Sequence, residues 1–99
     1  MQFRHSKHFL EKQRLRDIPE GFAEEVFLSS DGHFYDTATN TLVSVKQITS
    51  HGVDRDIALV YVKTGEQVTF ITIHPLQSGQ RERRIQSGRW LPYDAKSPL

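Results

Sequence analysis

The spacing of apolar residues changes once along the chain, from a helical period to strand-like alternation, at Asp31-Gly32. Before this point, apolar residues recur at three- and four-residue intervals and predict a helix over 20–29. An earlier segment of helix-forming residues, 7–16, follows Ser6, which is a favourable N-cap, and predicts a first helix. Pro19 separates the two helices, because proline disfavours helical geometry in the residue before it.

After Gly32, four runs rich in β-branched residues are separated by turn sequences and predict β-strands. These predicted strands span residues 33–37, 41–48, 56–63 and 67–74. The last two runs are almost continuously apolar, so we expect them to lie at the centre of the sheet. Phe3–His5 is a further candidate for a short edge strand.

The order of these elements predicts an α+β fold, with two N-terminal helices packed on one face of a four-stranded antiparallel sheet. Its core is expected to contain Phe22, Val26 and Phe27 of the second helix and part of a set from the last two strands: Ile57, Leu59, Val60, Phe70 and Ile71.

Length and composition indicate a single domain over residues 1–99, with 91–99 as a flexible C-terminal tail. The chain contains no Cys, so disulfides, thiolate catalysis and Cys-based metal sites are excluded. It has neither the run of about 18 apolar residues that a membrane span needs nor the apolar segment of a secretory signal. A cytoplasmic protein without membrane contact is therefore expected.

The net charge of +1 conceals a strong segregation of charge along the chain. Residues 1–16 carry five Lys or Arg against one acidic residue, whereas 17–36 carry six acidic residues and no Lys or Arg. Residues 37–77 are balanced, and 78–99 carry five basic residues against two acidic ones. Basic segments at both ends predict one surface that faces a polyanion and another that does not.

The candidate chemistry lies in 71–90, where a strand ends in a histidine and a basic segment follows. His74 comes at the end of the fourth predicted strand, and Pro75 ends the ladder of backbone hydrogen bonds. A histidine near its ordinary pKa of about 6.5 can act as a general base or acid. The alternative is a structural histidine packed at the edge of the sheet.

Four arginines occur within nine residues of this segment: Arg81, Arg83, Arg84 and Arg89. The guanidinium group binds phosphate through two parallel hydrogen bonds, and a helical turn would place Arg81 and Arg84 on one face. Trp90 follows Arg89 and could stack on a base, or could anchor the C-terminal segment to the core. These five residues are the predicted nucleic-acid-binding set, and His74, Arg84 and Arg89 the predicted catalytic set.

Metal and cofactor sites are not expected from the sequence. His5 and His8 are three residues apart, a spacing that metal sites use on helices, but no further ligands accompany them. Glycine-rich phosphate loops and serine nucleophile motifs are also absent from the sequence.

The N-terminal phrase FRHSKHFLEKQRLRDIPEGFAEEVF resembles small domains of unknown function grouped with the RelE-type toxin superfamily. His8 corresponds to a histidine of that pattern, and Arg16-Asp17-Ile18 to its Arg-Gly-Ile, with Asp17 in place of the customary glycine. The resemblance covers about residues 2–75 and implies a fold like those of RelE and barnase. It also implies an mRNA-cleaving toxin neutralised by an antitoxin protein.

Two functions therefore remain open from the sequence. One is an RNA-binding, toxin-like domain, catalytic as a metal-independent endoribonuclease or inactive, with RNA and an antitoxin as partners. The other is a non-catalytic protein-interaction module that docks through its acidic and basic segments. Convergence of the four arginines with His74 on one concave face would favour the first, and arginines spread along an exposed tail would favour the second. The sequence does not determine the oligomeric state.

Overall fold

The computed structural model of the chain describes residues 1–94 and consists of one mixed β-sheet and three helices. In chain order the elements are β1 (Gln2–His5), α1 (Lys7–Leu15), α2 (Phe22–Leu28), β2 (Gly32–Asp36), β3 (Thr41–Ser50), β4 (Val53–Thr64), β5 (Gln67–Pro75), α3 (Gln80–Gln86) and β6 (Trp90–Pro92). The six strands are arranged in the order β1-β5-β4-β3-β2-β6. β1 runs parallel to β5, and every other neighbouring pair is antiparallel.

The prediction of two helices on a four-stranded antiparallel sheet is wrong. The two N-terminal helices and the four central strands lie within a few residues of their predicted positions. The sheet is extended, however, by β1 at one edge and by β6 at the other, and a third helix follows β5. β1 corresponds to the candidate edge strand Phe3–His5, whereas β6 was not predicted. A strand of three residues carries too little periodicity to be assigned from sequence, and its pairing depends on a partner that is distant in the chain.

The sheet is covered on both faces, so the chain has two apolar clusters rather than the single core that was predicted. Neighbouring residues of one strand point to opposite faces, and the buried pairs Leu42–Val43 and Ala58–Leu59 are divided between the two clusters accordingly. The first cluster packs under α1 and α2 and comprises Phe9, Ala23, Val26, Phe27, Leu42, Leu59, Tyr61, Val68, Phe70 and Ile73. The second comprises Phe34, Val43, Val45, Ala58, Leu76 and Trp90.

Several of the predicted core residues lie elsewhere than expected. Val60 packs against the second cluster, on the face away from α1 and α2. Phe22 and Ile57 are only partly buried at the boundary of the first cluster. Val26, Phe27, Leu59 and Phe70 are buried in the first cluster as predicted.

A β-bulge in β5 determines the direction of every side chain in the second half of that strand. Val60 pairs with Thr72 and Tyr61 pairs with Phe70, which leaves Ile71 as an extra residue between them. Strand alternation alone would place Ile73 opposite to Phe70, but after the bulge both are buried in the same cluster. His74 pairs with Ala58 and therefore lies on the second face of the sheet.

The region predicted as a flexible tail begins within a strand. Leu91 and Pro92 belong to β6, which pairs with β2, and the backbone N–H of Tyr93 donates to the carbonyl of His33 at 2.9 Å. The rest of the predicted tail, residues 95–99, lies outside the described residues. Within 1–94, no helix combines the length and the apolar character needed to cross a membrane.

Candidate functional site

A cleft of about 390 Å³ lies on the second face of the sheet, where α3 and the start of β6 meet the central strands. His74, Arg84 and Arg89, the three residues of the predicted catalytic set, all line it. Thr41 and Thr72 add hydroxyl groups to the lining, and valines and an alanine of β3 and β4 complete it. The cleft therefore combines cationic groups, hydroxyl groups and one imidazole.

His74 enters the cleft from the end of β5 and lies between two arginines. Burial lowers the pKa of His74, and the positive charges of Arg16 and Arg84 lower it further. The described residues provide no hydrogen-bond partner for its ring. At neutral pH the imidazole is therefore uncharged, with one ring nitrogen available to accept a proton.

Arg84 approaches the cleft from α3 and lies over the indole of Trp90, with its Cζ atom 5.6 Å from the centre of the ring. Such stacking fixes the direction of the guanidinium group. Burial and the charges of Arg89 and Arg83 lower the pKa of Arg84, although Asp36 opposes them. Positive potential thus accumulates at this end of the cleft, and a bound anion would relieve it.

Arg89 is held by the carboxylate of Asp36, at the end of the neighbouring strand β2. Its Nε donates to Oδ1 of Asp36 at 2.9 Å, and its Nη2 donates to Oδ2 at 3.1 Å. This two-bond pairing leaves Nη1 as the guanidinium nitrogen that Asp36 does not take. The turn from α3 to β6 passes through Gly88, whose φ of 80° is favourable only for glycine, and this turn directs Arg89 toward Asp36.

Asp36 is almost fully buried and accepts four hydrogen bonds. Besides the two from Arg89, the N–H of Ala38 donates to Oδ1 at 2.9 Å and the indole Nε1 of Trp90 donates to Oδ2 at 3.3 Å. Burial raises the pKa of Asp36, but these donors outweigh it and leave the pKa below its usual value. Asp36 is therefore an ionised anchor for both Arg89 and Trp90.

Trp90 is buried, with 2% of its surface exposed, and its ring stacks on Phe34 at a centroid distance of 5.4 Å. The ring is therefore not open to a nucleic-acid base, and Trp90 fixes β6 and supports Arg84. The sequence left two roles open for Trp90, stacking on a base and anchoring the C-terminal segment to the core. This geometry agrees with the second.

The other two arginines of the predicted set do not enter this cleft. Arg81 forms ion pairs with Asp31 at 3.8 Å and with Asp56 at 3.7 Å. Arg83 points along α3, and its Nη1 donates to the carbonyl of Ser78 at 3.5 Å. The structure thus brings together His74, Arg84 and Arg89 and leaves Arg81 and Arg83 outside.

Two residues of the site were not predicted from the sequence. Asp36 ends a predicted strand, and no local pattern marks it as the partner of Arg89, 53 positions later. Arg16 ends α1 and donates a hydrogen bond through Nη1 to the carbonyl of Ile73, which places its charge beside His74. From the sequence, Arg16 was part of the basic segment 1–16 and of the Arg16-Asp17-Ile18 resemblance, and neither placed it beside His74.

A larger cavity, of about 680 Å³, lies at the other end of α3, beside the end of the β3–β4 hairpin. Its charged lining consists of Asp54, Asp56 and Glu82 against Arg55. An excess of carboxylates repels a polyanion. This cavity is the larger of the two, but its excess of negative charge makes it unfavourable for an anion. The smaller cleft is the better candidate for binding one.

The donor set of the smaller cleft does not suit a metal ion. Its one carboxylate, Asp36, is fully engaged with Arg89, Trp90 and Ala38. Across residues 1–94, no three His, Asp or Glu side chains lie close enough together to hold a metal.

No protein-family model matches this sequence, and comparisons with curated proteins and with solved structures give no match either. The resemblance to the RelE-type toxin superfamily stays a prediction from the sequence.

Proposed function

We propose that this protein binds single-stranded RNA with a backbone phosphate in the cleft beside His74, and that it cleaves the RNA without a metal ion. The observation that carries the proposal is the convergence on one cleft of His74 from β5 and Arg84 from α3, two residues ten positions apart in the chain. The sequence criterion that favoured this function over a docking module was the convergence of all four arginines with His74. Arg84 and Arg89 meet it, whereas Arg81 and Arg83 do not line the cleft.

The cleft matches the chemistry of a phosphodiester. Arg84 supplies a fixed cation, Thr72 supplies a hydroxyl donor, and the hydrogen-bonded hydroxyls of Thr39 and Thr41 together supply one more for the non-bridging oxygens. The unpaired Nη1 of Arg89 adds a further donor at the same side. Arginine and hydroxyl groups are the side chains that proteins most often direct at nucleic-acid phosphates.

His74 is suited to the role of general base. Its lowered pKa keeps the imidazole neutral at pH 7, so a ring nitrogen can take the proton of a ribose 2′-OH. The 2′-oxygen then bonds to phosphorus and the bond from phosphorus to the 5′-oxygen breaks. The leaving 5′-oxygen takes a proton from water, and His74 later returns its own proton to solvent. The products are a 2′,3′-cyclic phosphate and a 5′-hydroxyl.

Arg84 stabilises the charge that develops during this step. The pentacoordinate phosphorane carries one more negative charge than the starting phosphodiester, and a cation fixed beside it lowers the barrier. Arg89 contributes less charge, because Asp36 neutralises most of it, and its principal role is to hold the wall of the cleft. This assignment retains the predicted catalytic residues but gives them unequal roles.

The test is cleavage of a labelled single-stranded RNA in EDTA by the purified wild type, His74→Ala and Arg84→Gln. A general base contributes roughly 10²–10⁴-fold, so His74→Ala is expected to lose cleavage by that order while RNA affinity changes little. Arg84→Gln is expected to weaken both binding and cleavage.

His8→Ala is the matched control, because His8 is exposed on α1 and does not line the cleft. Circular dichroism of each variant checks that the fold is retained. A wild type that binds RNA without cutting it, or a His74→Ala variant that cuts equally well, would overturn the catalytic part. A wild type that binds no RNA at low salt would overturn the whole proposal in favour of a protein-interaction module.

A further inference from the structure

A second cavity adjoins His74 on the side away from Arg84. It is a groove of about 440 Å³ at the open edge of β5, lined by Ile18, Phe22, Ile57, Ile73 and Pro75, with Arg16 and His74 as its polar groups. His74 is shared by this groove and by the phosphate cleft. One imidazole therefore separates a cationic cleft from an apolar groove.

The groove exists because β1 covers only the first half of β5. β1 pairs with Gln67–Phe70, and the chain leaves the sheet at Ser6, whose N–H donates to the carbonyl of Phe70 and whose Oγ donates to that of Ile71 at 3.4 Å. Beyond this point the edge of β5 is flanked by the segment that follows α1. That segment carries Arg16 and Ile18 to the groove.

We infer that this groove is a nucleobase subsite: it holds the base of a nucleotide whose phosphate lies in the cleft on the other side of His74. The inference rests on the proposed function and extends it to a second part of the same RNA. A planar heteroaromatic base has apolar faces and a polar edge, which matches apolar walls with an arginine beside them. Arg16 uses Nη1 to donate to the carbonyl of Ile73, and its other guanidinium N–H groups can donate to acceptors on the edge of the base.

The same geometry argues against a peptide strand as the occupant. An extended peptide adds to a sheet by pairing with free backbone groups of the edge strand. At this edge the carbonyl of Ile73 already accepts a hydrogen bond from Arg16. The Arg16 side chain therefore occupies the position that an added strand would need, and it brings a cation suited to a nucleotide.

The experiment compares two probes of equal length and charge, a single-stranded RNA hexamer and the corresponding hexamer of abasic ribose phosphates. Stacking and edge contacts to one base favour binding by about tenfold or more, so the wild type is expected to bind the base-bearing hexamer at least about tenfold more tightly. Ile18→Thr and Ile57→Thr are expected to reduce this ratio several-fold while leaving affinity for the abasic hexamer unchanged. Val62→Thr is the matched control, because Val62 is an exposed β-branched residue of β4 that does not line the groove.

The outcomes distinguish this inference from the function on which it rests. Equal affinity of the wild type for the two hexamers would overturn the base subsite and leave the phosphate cleft in place. If Ile18→Thr and Ile57→Thr both kept the wild-type ratio of the two affinities, the base subsite would also be overturned, because the base would then bind elsewhere. Failure of the wild type to bind either hexamer would overturn the subsite and the proposed function together.

Discussion

His74 is partly buried beside Arg16 and Arg84, and both features affect its protonation near neutral pH. Burial disfavours the imidazolium, and the two nearby cations disfavour it further, so the pKa is lowered from its ordinary value of 6.5. The folded protein therefore binds the proton of His74 less readily than the unfolded chain does. Its contribution to stability is fully present above about pH 6.5 and is lost as the pH falls through the lowered value.

Arg84→Gln is expected to raise the pKa of His74 toward 6.5, because it removes one of the two cations beside the ring. The measurement is an NMR titration of the His74 ring protons in wild type and variant, which does not depend on activity. Arg83→Gln is the control, since Arg83 is not among the charges that act on His74. An unchanged pKa in Arg84→Gln would show that Arg84 does not face the imidazole.

Asp36→Asn tests the buried anchor of the cleft. The amide keeps the shape of the side chain but loses the charge that pairs with Arg89, and its NH₂ group cannot accept the bonds that the carboxylate oxygens accept. Hydrogen bonds to charged groups contribute roughly 1.5–3 kcal/mol each, so we expect the free energy of unfolding to fall by about 2–3 kcal/mol in urea denaturation. Asp54→Asn, at an exposed position of β4, should change it by no more than about 0.5 kcal/mol.

At the scale of elements, two local features place the site residues. The extra residue Ile71 in β5 turns His74 to the second face of the sheet, where Arg84 lies. Asp17, with a φ of 56°, ends α1 in the left-handed conformation, and the N–H of Ile18 then donates to the carbonyl of Gln13 at 2.9 Å. This closure directs the chain from Arg16 toward the groove at the edge of β5.

Ser6→Ala is expected to destabilise the junction between β1 and α1. Ser6 Oγ accepts the N–H of Phe9 at 3.0 Å as the N-cap of α1, and it also donates to the carbonyl of Ile71 in the bulge. Loss of an N-cap costs about 1 kcal/mol, and we expect at least that loss in the free energy of unfolding, measured by chemical denaturation. Ser87→Ala, at the exposed end of α3, is the control; an equal loss in both variants would count against a special role for Ser6.

At the scale of the whole molecule, the charge segments that are separate in the sequence are partly neutralised in the fold. Asp31 and Asp36 of the acidic segment pair with Arg81 and Arg89 of the basic one. The cationic surface is therefore smaller than the count of arginines suggests. Arg84 is the arginine of the cleft whose charge is not taken by a carboxylate at ion-pair distance among the described residues.

The salt dependence of RNA binding should reflect this distribution. Each phosphate of a single strand that a cation neutralises contributes a slope of about −0.7 to log K against log salt concentration. Arg84→Ala should flatten the slope by about 0.7, whereas Arg81→Ala should leave it nearly unchanged, because Arg81 already faces Asp31 and Asp56. The measurement is fluorescence anisotropy with labelled single-stranded RNA across a salt series. A larger effect of Arg81→Ala than of Arg84→Ala would contradict the assignment of the cleft.

Elements with a strong local period were predictable from the sequence, and so were the residues that suggested chemistry. The four central strands and the two N-terminal helices follow from apolar spacing and turn residues, because those signals act over a few neighbouring positions. The association of His74 with arginines followed from their residue types and their proximity in the chain. β1 was a candidate edge strand from the sequence, whereas α3 and β6 were not predicted.

The sequence by itself determined the two N-terminal helices and the four central strands, and it identified residues whose side-chain types suit an anion or a proton. The tertiary structure decided which of them come together. The bulge at Ile71 determines the face of the sheet on which His74 lies, and carboxylates distant in the sequence form ion pairs with two of the arginines. Asp36 forms an ion pair with Arg89, and Asp31 forms one with Arg81. Arg84 and the unpredicted Arg16 lie near the imidazole of His74. These choices depend on contacts between residues up to 57 positions apart, which no local pattern encodes.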